Sequence, residues 1–160
     1  MAHLEIAFVG DPPADFIFIN LDEAVGVNAP DPRADDTTVV QWFIQQIYDN
    51  AARFSPPLSR PNLPKLVVNG RPSQNLNSWI RQFQSEARKR GHSIAVDGRV
   101  DTSKTIDAVS TISHTTYTIA WLNGAFRTAR PDAKDKPFDQ IADAPDLLKV
   151  VLGNVEPNPA

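Results

Sequence analysis

The chain has 160 residues, 41% hydrophobic and 22% charged, with no cysteine and a net charge of −3. That length suits one domain with its own core, and the missing cysteines exclude disulfides and thiolate metal sites. The slightly acidic balance lacks the basic excess with which nucleic-acid binders displace counterions from phosphates.

Two short strands open the chain. Leu4–Val9 and Phe16–Ile19 are apolar, β-branched or aromatic, and Asp11-Pro12-Pro13 between them is turn chemistry. The first run is too short for a secretory leader and no basic segment precedes it. No stretch approaches the roughly 20 apolar residues of a membrane span. The chain is therefore expected to be soluble and cytoplasmic as synthesised, with any export by a signal-independent route.

A Pro-, Asn- and Asp-rich loop leads into the first predicted helix, about Asp36–Asn50. Val39, Val40, Phe43, Ile44 and Ile47 form its apolar stripe, with Trp42 nearly opposite. Asp35 and Asp36 suit a helix N-terminus, and Thr38 with Gln41 reads as a capping box. The proline-rich stretch Ser55–Pro64 is a loop.

The second helix is predicted over Gln74–Arg90 with Ser73 as N-cap. Leu76, Ile80, Phe83 and Ala87 share its buried face, Trp79 lies at the edge, and Gly91 takes the left-handed position after it. Arg88, Lys89 and Arg90 then fall in the last turn, where cations complement the helix dipole. A third helix spans about Ser113–Arg127, with Ile112, Ile119, Leu122 and Phe126 inward and Tyr117 and Trp121 on the other side beside Gly124. A short helix from Pro145 to Leu152 follows, with Asp143 near its start and Gly153 at its end. The tail 154–160 is expected to be disordered.

The sequence also echoes itself. Leu66-Val67-Val68-Asn69-Gly70-Arg71 recurs as Ile94-Ala95-Val96-Asp97-Gly98-Arg99, each an apolar run ending in a turn that needs positive φ. Two copies are too few for a solenoid, so the repeat predicts a compact pseudo-symmetric bundle.

On these residues the chain resembles the peptidoglycan-binding-like domains. Their pattern is an apolar residue, Asp-Gly, two variable residues, Gly-Pro-x-Thr, then a helix ending in Phe-Gln. Here Val68-Asn69-Gly70-Arg71-Pro72-Ser73-Gln74-Asn75-Leu76 leads to Phe83-Gln84, and Val40-Gln41 matches the family's Leu-Gln pair in the preceding helix. Asn69, Ser73, Gln74 and Leu76 depart from the pattern, and Thr102–Ile112 reads as an insertion.

The resemblance covers residues 25–130. It implies a mainly α, compact helical bundle of peptidoglycan-binding-domain type with a short N-terminal β-hairpin. The single domain is then 1–153, divided as strands 1–24, core 25–130 and C-terminal helix 138–153. It further implies a non-catalytic module that binds peptidoglycan or another glycan; the alternative is a protein–protein adaptor on the same fold, within a secretion, phage-like or wall-associated assembly.

Catalysis finds little in the residues themselves. His3, His92 and His114 are far apart and lack metal-ligand spacing, and His92 reads as a solvated loop residue. No nucleophile elbow, carboxylate-pair pattern or Walker-type phosphate loop is present, so neither metal nor cofactor is expected. Binding has better candidates, because sugar rings stack on Trp and Tyr while carboxylates suit Arg. Trp42, Trp79, Tyr117 and Trp121 are the aromatic candidates, and Arg71 and Arg99 are the residues of the two turns that turn formation leaves over. Burial beneath the terminal segments is the other reading of Trp42, Tyr117 and Trp121, and Trp79 is either core or groove wall.

Overall fold

The computed structural model describes residues 2–9, 14–103, 117–133, 136–151 and 155–157. Strands β1 (His3–Val9) and β2 (Ala14–Asn20) pair antiparallel, with His3 opposite Asn20 and Val9 opposite Ala14. A two-residue strand β3 (Val25–Gly26) precedes helices α1 (Ala34–Asp49) and α2 (Gln74–Lys89). Strand β4 (Arg99–Val100) returns to pair with β3, and helices α3 (Thr118–Ala129) and α4 (Asp146–Val151) complete the mainly helical architecture. The N-terminal hairpin is as the sequence predicts; its turn at 11–13 lies outside the described residues, as do residues 113–116, Ile112, His114 and Gly153. The third helix starts later than predicted, at Thr118, because Tyr117 before it is extended with ψ 138°.

The tail departs from expectation. Instead of being disordered, Val155–Pro157 forms β5, paired in parallel with β1 so that Leu4 faces Val155. The sheet order is β2-β1-β5, which leaves β2 at one edge. That edge is covered at one point by a side chain. Asn123 of α3 accepts from the Ile19 backbone N–H at 2.8 Å and donates to the Ile19 carbonyl at 2.8 Å, as a neighbouring strand would.

Helix α1 is the centre of the molecule. It contacts α2, α3, α4 and β3, and Asp35–Ile44 are all buried. An apolar stripe with a wet reverse face describes a surface helix, whereas a central helix is covered on every side. Trp42 is therefore 3% exposed, with Phe126 at 5.1 Å and Phe138 edge-on at 5.3 Å between ring centroids. Phe43 stacks on the same Phe126 at 4.5 Å.

The start of α1 also corrects a prediction. The helix begins after Arg33 with no side-chain cap, and Thr38 Oγ1 donates back to the Ala34 carbonyl one turn earlier. Thr38 and Gln41 thus lie inside the helix and form no capping box. Asp35 and Asp36 do sit in the first turn, where they fasten the N-terminal segment. Asp35 accepts from the Ala2 N–H at 2.7 Å, and the two oxygens of Asp36 accept from Asp22 and Glu23 N–H at 3.2 and 3.0 Å. Burial pushes the Asp36 carboxyl up to about 6, against the lowering effect of its bond from Glu23.

Helix α2 follows its sequence signals. Ser73 Oγ accepts from Leu76 N–H at 3.0 Å, and Leu76, Ile80, Phe83 and Ala87 are all buried. Gly91 adopts φ +93°, and bonds from Gly91 N–H to Arg88 O and from His92 N–H to Ala87 O form a Schellman motif. In α3, Ile119, Leu122 and Phe126 are inward as expected.

At the C-terminal end, Asp143 is not a helix cap. It and Asp132 hold the Arg130 guanidinium in two carboxylate forks, with contacts from 2.7 to 3.0 Å, while Arg130 Nη1 also donates to Gln46 Oε1 of α1 at 2.8 Å. Arg130 lowers the pKa of both carboxyls through these hydrogen bonds.

Candidate functional site

The two turns of the internal repeat are built alike. Gln41 of α1 reaches Asn69-Gly70-Arg71: its Oε1 accepts from Asn69 and Gly70 N–H at 3.0 and 2.8 Å, and its Nε2 donates to Asn69 Oδ1 and Arg71 O. Gln84 of α2 repeats this at Asp97-Gly98-Arg99, with Oε1 accepting at 3.1 and 2.8 Å and Nε2 donating to Asp97 Oδ1 and Arg99 O. In each turn the Asn or Asp side chain also accepts from the N–H two residues on, an Asx turn. The backbone N–H groups at the tip of each turn are thereby satisfied by one helix-borne glutamine. The echo in sequence is a repeated helix-to-turn latch.

These latches set the orientation of the helices, and the helices enclose a cavity. It measures about 760 Å³ and lies between the end of α1, the last turns of α2 and the face of α3. Phe54, and Pro56 and Leu58 of the proline-rich loop after it, line another side. Arg90 holds that loop against α2: its guanidinium pairs with Glu86 at 2.9 Å and donates to Pro57 O at 3.3 Å. The Leu58 N–H bonds back to Ala51 O at 3.1 Å.

Trp121 lines this cavity along with Phe54 and Phe83, and His92 lies against it with ring centroids 3.6 Å apart and planes inclined at 32°. The Schellman turn after α2 is what carries His92 there. His92 is thus half-buried, not a solvated loop residue. The Trp121 indole N–H is enclosed and has no acceptor among the described residues. An unmade bond of that kind costs about 1–3 kcal/mol. Gly124 and Thr128, one and two turns further along α3, keep this side of the helix open, while Arg53 and Lys89 stand exposed at the rim.

The six residues singled out in the sequence do not converge. Only Trp121 lines this cavity. Trp42 is core, and no face of it reaches the surface as an anchor would, because α3 and the segment at Phe138 cover it. Trp79 is 3% exposed; its indole N–H donates to Pro64 O at 2.9 Å and its ring meets Tyr48, so it ties the proline-rich loop to α2. The adjoining cleft holds about 10 Å³, room for no more than a water.

Arg71 is exposed and is bound through its backbone. Arg99 is committed to structure, with Nε on Asp101 at 2.7 Å and Nη1 on the Asn28 carbonyl at 3.0 Å. Tyr117 is half-buried at the N-cap of α3, one turn before Trp121.

His92, Phe54, Arg53 and Lys89 were not among the sequence candidates. The sequence does carry one signal for His92, since a residue that follows a helix-ending glycine folds back over the last turn. What it lacks is the packing of α3 against that turn. Among the described residues, no group of three or more His, Cys, Asp or Glu is placed to hold a metal ion, and no helix is long and apolar enough to cross a membrane.

The chain matches no protein-family model, no curated protein and no solved structure.

Proposed function

We propose that this chain is a non-catalytic recognition module that binds peptidoglycan or a related glycan in the cavity around Trp121. The observation that carries the reading is the cavity itself: about 760 Å³, mostly apolar-walled, with an aromatic platform of Trp121 and His92. That volume is in the range of small-molecule sites, and stacked rings are how apolar sugar faces are held. The twin glutamine latches lend support to the resemblance, because Gln41 and Gln84 stand at the positions of the Leu-Gln and Phe-Gln pairs on which it rests. Glu86 is paired with Arg90 and His92 lies on Trp121, so neither is joined to a nucleophile among the described residues.

Retention on insoluble peptidoglycan sacculi tests this. The wild-type chain is expected to co-sediment, and Trp121→Ala to lose that retention while keeping its helical circular dichroism. Trp42→Ala is the wrong variant for the purpose, since removing a core tryptophan costs about 3–5 kcal/mol of stability. Retention no better than that of an unrelated acidic protein would overturn the glycan reading and leave the adaptor as the function to pursue.

A further inference from the structure

The rim of the Trp121 cavity has a sign opposite to that of the protein. The chain carries a net charge of −3, yet the charged residues lining this cavity are Arg53, Lys89, Arg90 and Glu86. Glu86 and Arg90 neutralise one another at 2.9 Å. Arg53 and Lys89 remain, both exposed, and neither has a hydrogen-bonded carboxylate partner among the described residues. The carboxylate that feels Arg53 is Asp132, which is already held by Arg130. Behind these cations lie the Trp121–His92 platform and the apolar wall of Phe54 and Leu58.

We infer that the cavity selects an anionic ligand, a ring with an attached acid group: the ring lies against Trp121 and Phe54 while the acid meets Arg53 and Lys89. Apolar contact alone would not distinguish a neutral ring from an acidic one. Two exposed cations at the mouth do, through an attraction that salt screens. This rests on the proposed site and extends it. Within peptidoglycan the acid groups are the carboxylates of the stem peptides, since the lactyl carboxyl is amide-bonded where a peptide is attached, so the expected ligand is an acid-bearing sugar–peptide fragment and not an uncharged N-acetylglucosamine chain.

The test uses the full-length protein and two fluorescent probes that differ by one sulfonate, 8-anilinonaphthalene-1-sulfonate and the uncharged N-phenyl-1-naphthylamine. The sulfonate is expected to bind about tenfold more tightly, with the preference falling as salt is added. Arg53→Ala/Lys89→Ala should abolish that preference, bringing the affinity for the sulfonate down to that for the uncharged probe. Trp121→Ala should weaken both. Equal affinities for the two probes, or a preference that survives the double variant, would overturn the inference. The sacculus assay separates this outcome from that of the glycan reading. Retention on sacculi with no charge preference leaves a neutral-sugar site, whereas a charge preference without retention leaves an anion-binding cavity whose ligand is not peptidoglycan.

Discussion

Gln41 and Gln84 make matching bonds to two different turns, and they differ in what the amide nitrogen faces: the side-chain oxygen of neutral Asn69 in one, and in the other that of acidic Asp97 together with Thr118 Oγ1. Removing either side chain strands buried N–H groups at Gly70 or Gly98, so Gln41→Ala and Gln84→Ala should each cost about 2–3 kcal/mol. Glutamate separates the two sites. Gln84→Glu sets a carboxylate against Asp97 and should destabilise more than Gln41→Glu at pH 7, with the gap narrowing at pH 5. Urea unfolding of the four variants at both pH values reads this directly; equal effects of the two glutamates would show that Asp97 does not matter to the latch.

The glycines of the turns and of the helix end give a second contrast. Gly98 has φ +72°, and a Cβ there would lie 2.9 Å from both Arg81 Nε and Val27 Cγ2. Gly91 has φ +93° with nothing within 4 Å. Gly91→Ala therefore carries only the backbone penalty of about 1–2 kcal/mol. Gly98→Ala adds the crowding of the Arg81 and Val27 side chains and should cost at least about 2 kcal/mol. Thermal unfolding of the two variants should rank them in that order.

Much of the bundle was legible because it rests on local rules. Ser73, Gly91 and the apolar faces of α2 and α3 each act within one or two helical turns, and the structure has them as the sequence predicts. Gln41 shows where local rules stop. Its spacing from Thr38 mimics a capping box, but its real partners lie 28 to 30 residues away. Trp42 was ambiguous for a related reason. Helical periodicity reports one buried face, and only the packing of α3 and Phe138 onto the other makes α1 central. The cavity was legible in Trp121 alone. His92 and Arg53 reach it through a Schellman turn and a loop whose approach to α3 has no pattern in sequence. The strand Val155–Pro157 was hidden too, since a parallel pairing with β1 across most of the chain leaves no mark in three residues.

Stability should depend on pH through Asp36. Its carboxyl rises from 3.8 to about 6 on folding, so the folded chain holds a proton there that the unfolded chain releases. The resulting stabilisation is complete below 3.8 and is lost as pH rises through 6. From pH 7.5 to 5 the unfolding free energy should increase by about 1 kcal/mol. Asp132 and Asp143 act in the opposite sense, their contribution being present above the ordinary carboxylate range and lost as pH falls through their lowered values. An optimum between these limits is expected, and Asp36→Asn should flatten only its neutral flank. A wild-type chain whose urea midpoint is the same at pH 5 and 7.5 would contradict this account.

The fluorescence of the chain can report the cavity without any ligand. Trp42 and Trp79 are each 3% exposed, whereas Trp121 is half-buried beneath His92. Replacing His92 removes a ring from one side of the indole and admits water, with little loss of core, since His92 lies at the end of the Schellman turn and its backbone bond to Ala87 is kept. His92→Ala should therefore shift the emission to the red and raise iodide quenching, at a stability cost of about 1 kcal/mol or less, as for a single exposed ring pair. In Trp121→Phe the accessible component should vanish, and adding His92→Ala to it should change neither emission nor quenching. A red shift that persists in the double variant would place the newly wetted tryptophan at 42 or 79, and so would mean that His92 supports the core and does not merely cover the cavity.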